Sequence, residues 1–190
     1  ARPVSKKDID KYPEAVKARD KEWNRLREKG AWNINETPRE WRDVAMQARR
    51  TGKTVHMGRI FGFMVEKNYE SADHRKFKYR VVFQGNNVID QDWSAALFQD
   101  LGSSPASMEA SKVVDFYGCM PGHAIEQADA EQAYIQADLK GKETWILLPE
   151  EAWPDSWFEK SKSGTVDRNR PLYVKPVVKL YKALYGHPDS

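Results

Sequence analysis

The sequence predicts an α+β fold on three observations: a helical apolar period in the N-terminal part, a switch to β-rich alternation after Gly52, and mixed helix and strand signals beyond Ser104. The 190 residues suffice for one core, so a single folding unit is expected. Seven Trp, eight Tyr and seven Phe within a hydrophobic fraction of 40% supply that core, and 31% charged residues supply a wet surface.

Elements follow in chain order. From Asp8 to Lys29, Ile9, Tyr12, Val16, Trp23 and Leu26 recur at mostly helical spacing, with Gly30 where a C-terminal stop belongs. Thr37-Pro38-Arg39-Glu40 reads as a capping box, opening a second helix to about Arg50 that Gly52 ends. The runs Val55 to Val65 and Phe77 to Phe83 predict a hairpin. Ser104-Pro105 starts a third helix through about Tyr117, and a strand is expected from Ala124 to Asp129. Thr144 to Leu148 and Pro171 to Leu180 read as extended, whereas 149–170, rich in Trp, Pro, Ser, Gly and charge, reads as an inserted surface loop.

Charge and cysteine usage narrow the function classes. Net charge is only +3, from 31 basic and 28 acidic residues, so any site for a polyanion must be a local patch. A single cysteine, Cys119, excludes an intramolecular disulfide and a multi-cysteine zinc site; it reads as a buried residue in an intracellular protein. No apolar run approaches the roughly 20 residues of a membrane helix, and no membrane partner is expected. Ala1-Arg2-Pro3-Val4-Ser5 has neither an initiator Met nor a signal core, so the chain reads as a piece of a longer one.

Two constellations can carry chemistry. In Arg75-Lys76-Phe77-Lys78-Tyr79-Arg80, strand alternation sends Lys76, Lys78 and Arg80 to one face and Phe77 and Tyr79 to the other. Such a cation row can clamp a triphosphate or a nucleic-acid backbone; it is equally the pattern of a solvated strand face. Asp129 in Gln127-Ala128-Asp129-Ala130-Glu131-Gln132-Ala133-Tyr134 falls where a strand meets a turn, a place for a Mg²⁺-binding carboxylate or for a helix cap. Glu131 and Asp138 read as surface carboxylates. Thr51-Gly52-Lys53-Thr54 fails as a phosphate-binding loop because the earlier glycine falls at Gln47, and the four histidines lack metal-ligand spacing.

Four blocks in order resemble the reverse transcriptase of copia-type retrotransposons: Glu22-Trp23 through Gly30-Ala31-Trp32; Lys78-Tyr79-Arg80-Val81-Val82-Phe83-Gln84-Gly85; Gln127 to Tyr134; and Lys179-Leu180-Tyr181-Lys182-Ala183-Leu184-Tyr185-Gly186. The resemblance implies N-terminal helices over about 1–52, a fingers hairpin over 53–104 and an incomplete palm over 105–190. It implies two-metal nucleotidyl transfer with Mg²⁺ or Mn²⁺, and Asp129 becomes the first metal-binding catalytic aspartate. Gln132 and Ala133 would touch the incoming deoxynucleoside triphosphate and Tyr134 would exclude a 2′-hydroxyl. Lys78 and Arg80 would hold the triphosphate, with Lys76 and Lys67 on nucleic acid. Implied partners are an RNA or DNA template-primer and the rest of a Pol polyprotein, including palm, ribonuclease H and integrase, in a cytoplasmic particle or the nucleus. Two departures stand out. Gly186-His187-Pro188-Asp189 replaces a Gly-Leu-Lys-Gln run, and no Tyr-x-Asp-Asp motif occurs, so this piece alone is expected to be inactive. The rival reading is a retroelement remnant that binds nucleic acid without chemistry.

Overall fold

A computed structural model describes residues 1–98, 106–129 and 132–190. Their architecture is α+β around a mixed sheet, built on one long strand. That strand, β3 (Val55–Lys67), pairs antiparallel with β1 (Arg2–Val4), β4 (Lys76–Phe83) and β5 (Ile89–Asp90), and parallel with β6 (Glu143–Leu147). Beyond β6 lie β9 (Pro176–Lys179) and then β2 (Arg39–Glu40), both antiparallel to their neighbours. The expected hairpin is β3 with β4, in register from Ile60 opposite Phe83 to Lys67 opposite Lys76.

Alternation along β3 divides the core in two. Ile60 and Met64 face a large cluster holding Trp23 and Leu26 of α2 (Pro13–Glu28), Trp32, Tyr79, Phe83 and Ile146. Val55 and Met57 face a smaller cluster under α3 (Trp41–Thr51), with Trp41, Val44, Ala45 and Val177. Two glycines let aromatic rings lie flat on β3. A Cβ at Gly58 would collide with the Phe83 ring, and one at Gly62 with the Tyr79 phenol.

Several expectations need correction. The N-terminal helix is broken: α1 (Lys6–Ile9) ends before Pro13, which starts α2 because proline lacks the N–H an interior position needs. Gly30 does close α2 at φ 69°, with Ala31 N–H on the Leu26 carbonyl at 3.0 Å. The capping box is not formed. Helix α3 starts at Trp41, and the Glu40 carboxylate instead accepts Val174 and Lys175 N–H at 2.9 and 3.0 Å, tying the helix entry to the segment before β9. Gly52, at φ 65°, ends α3, so Gly52-Lys53 lies at a helix C-terminus, the wrong end for a phosphate cradle.

The third helix, α4 (Met108–Gly118), is capped by the Ser107 hydroxyl accepting Ala110 N–H at 3.2 Å; its expected start at Ser104-Pro105 lies outside the described residues. No strand forms over 124–129. That segment turns back on α4, with Ile125 against Gly118 and His123 edge-on to Tyr117 at 4.4 Å. The 149–170 stretch is not a surface loop: β7 (Phe158–Lys160) and β8 (Val166–Pro171) pair, and Ala152, Trp157 and Phe158 enter the main core. Cys119 is exposed, not buried. Among the described residues, no helix is long and apolar enough to cross a membrane.

Candidate nucleic-acid interface

Helix α3 covers only the start of one β3 face. From Arg59 onward the same face is bare: Arg59, Phe61, Phe63 and Lys67 are exposed and Val65 half-exposed. Strand β4 continues the surface with exposed Lys76, Lys78 and Arg80, while Tyr79 and Val81 point into the core. Cross-strand register sets the pairs, with Lys67 opposite Lys76, Val65 opposite Lys78, Phe63 opposite Arg80 and Phe61 opposite Val82. Large apolar rings and cations thus share one rigid surface, with Phe61 42% and Phe63 39% exposed.

The four cations Lys67, Lys76, Lys78 and Arg80 have no ion-pair or hydrogen-bond partner among the described residues. The Lys78 ammonium is held below its ordinary pKa chiefly by the neighbouring Arg80, with burial and Lys67 acting the same way. Like charges directly across strands, as at Lys67 and Lys76, repel, and an anion placed between them would relieve that repulsion. Glu66, the one acidic residue on β3, is buried on the opposite face, bonded to Arg2 and near Arg75.

The residues expected around a nucleotide are only partly brought together. Asp129 is exposed, in a segment that is neither helix nor strand. Glu131 lies outside the described residues. Gln132 adopts a left-handed φ of 57° ahead of the single-turn helix α5 (Ala133–Gln136), and its buried Oε1 has no hydrogen-bond partner among the described residues. Tyr134, 45% exposed, packs edge-on against Tyr185 at 5.5 Å, and the Tyr185 carbonyl accepts Phe83 N–H at 2.8 Å. Tyr134 is therefore anchored beside the end of β4. Ala133 is exposed, and Asp138 is exposed and paired with Lys182 at 2.7 Å.

Among the described residues no group of three or more His, Cys, Asp or Glu side chains is placed to hold a metal ion. Asp129 offers one carboxylate, and a metal pair needs several oxygen ligands, so the described donor set does not fit a two-metal centre. Phe61 and Phe63, not among the residues expected at the site, recur at the two-residue strand period in phase with Arg59, Val65 and Lys67, and that spacing is the sequence signal that places them on the same face. No family model, no curated protein and no solved structure matches the chain.

Proposed function

We propose that this chain is the front part of a copia-type reverse transcriptase, and that its β3–β4 face is the surface that engages nucleic acid. One observation carries the reading: four cations without an ion-pair partner among the described residues and two exposed phenylalanines share that face. Arg and Lys contribute charge-assisted bonds to phosphate, and the rings offer stacking platforms to bases. In the complete enzyme the reaction would be nucleotidyl transfer, with Asp129 giving one carboxylate to a metal pair whose other ligands the rest of the palm would supply, Gln132 and Ala133 beside the triphosphate and Tyr134 beneath the sugar. The apolar residues that α4 leaves exposed, Met108, Val113, Val114, Phe116 and Tyr117, suit an element that packs on the remainder of the palm.

The exposed position of Asp129, with no metal-binding group around it among the described residues, favours a second reading: a nucleic-acid-binding chain without chemistry. Both readings require the same interface. The test is the affinity of the 190-residue chain for a labelled single strand across a salt series. Replacing Lys76, Lys78 and Arg80 together by Ala should weaken binding about tenfold or more and lower the salt slope by about 2, since each lost phosphate contact retains roughly 0.7 counterions. Unchanged affinity and slope would remove the interface and both readings with it.

A further inference from the structure

Where the bare face meets α3, a cavity of about 210 Å³ opens. Buried Trp41 and half-buried Met57 and Leu147 give it an apolar lining, and exposed Trp93, Arg59 and Lys175 border it. Among the described residues, no carboxylate lines it. Neither the Arg59 guanidinium nor the Lys175 ammonium has an acceptor among the described residues; the Glu40 carboxylate nearby is engaged by the Val174 and Lys175 backbone.

Trp93 is held there against its backbone preference. It adopts φ 65°, a left-handed conformation that bulky residues rarely take. The turn is fixed by the Asp90 carboxylate, which accepts Asp92 and Ser94 N–H at 2.8 and 3.0 Å, and by the Asp90 carbonyl, which accepts Trp93 N–H at 3.1 Å. The indole meets Trp41 edge-on at 6.4 Å and remains 53% exposed. A half-bare indole beside two free cations suits a ligand with a planar ring and an adjoining negative charge.

Resting on the reading of the β3–β4 face as a nucleic-acid interface, we propose that this cavity receives one unpaired nucleobase, stacked on Trp93, with its flanking phosphates at Arg59 and Lys175. Continuity selects this occupant. Arg59 and Phe61 are successive residues on one face, about 6.6 Å apart at strand rise, and the face runs on to Lys67 over roughly 33 Å from Met57. A strand following that row of rings and cations reaches the cavity at its end.

The test uses fluorescence anisotropy with two labelled single strands of about ten nucleotides, one with bases and one wholly abasic. The chain should prefer the base-bearing strand. Trp93→Ala should reduce that preference about tenfold while leaving abasic binding unchanged, and Trp93→Phe should retain most of it. Arg59→Ala with Lys175→Ala should weaken binding of both strands. If Trp93→Ala leaves the preference intact, or if a short acidic peptide bearing one aromatic residue binds at Trp93 more tightly than the strand, the cavity assignment is wrong and the β3–β4 reading stands. If the wild-type chain binds neither strand, both fall.

Discussion

His187 is buried against Phe83, ring to ring at 4.5 Å, with Phe98 at 5.9 Å. Its Nδ1 accepts Asp189 N–H at 3.0 Å, so the proton sits on Nε2, 3.3 Å from the Thr144 hydroxyl oxygen. Burial first, and buried His56 second, push its pKa down from 6.5 to about 4. The neutral ring is the form that fits the fold. Stability is therefore full above the unfolded pKa of 6.5, and falls as pH drops from there towards 4, because the unfolded chain takes up the proton first. His187 should contribute a loss of about 2–3 kcal/mol between pH of about 7.5 and about 4.5. Urea unfolding at both pH values, with His187→Gln as the reference that cancels the carboxylates, checks it. Equal pH dependence in the two proteins would contradict the assignment.

At the level of elements, β3 depends on Gly62 because the Tyr79 phenol lies across it, bonded to the Glu151 carboxylate at 2.6 Å. Gly62→Ala should cost about 1–3 kcal/mol by overpacking, measured by denaturant midpoint, and Tyr79→Phe about 1 kcal/mol through the lost hydrogen bond. Much of this scaffold was legible. The β3–β4 hairpin shows in two β-rich runs, with charged and aromatic residues alternating from Lys76 to Arg80, and the stops at Gly30 and Gly52 show because a left-handed C-terminal position favours glycine. What failed had local signals outweighed by distant contacts. Glu40, expected at the third position of a capping box begun by Thr37, bonds a segment more than a hundred residues away, and Trp157 and Phe158 sit in polar, Pro-rich sequence yet enter the core. The expected strand ending at Asp129 had only local propensity behind it, and none formed. Trp93 could not be read at all, since its site exists only once α3, β3 and β5 are assembled.

For the whole molecule, the proposal separates binding from chemistry. The described residues carry a continuous cationic and aromatic surface along β3 and β4, but no group of three or more His, Cys, Asp or Glu side chains placed to hold a metal ion. The 190-residue chain should accordingly bind single strands yet give no primer extension above background with Mg²⁺ or Mn²⁺; extension by the pure chain would show that its own residues complete a metal centre. The most direct measurement is photocrosslinking of a bromodeoxyuridine-containing single strand to the chain, followed by peptide mapping. The account predicts adducts on β3 and β4, at Phe61 and Phe63, with Trp93 modified as well, and their loss when Lys76, Lys78 and Arg80 are replaced by Ala. Adducts confined to α2 or to the β7–β8 hairpin, with β3 and β4 untouched, would contradict it.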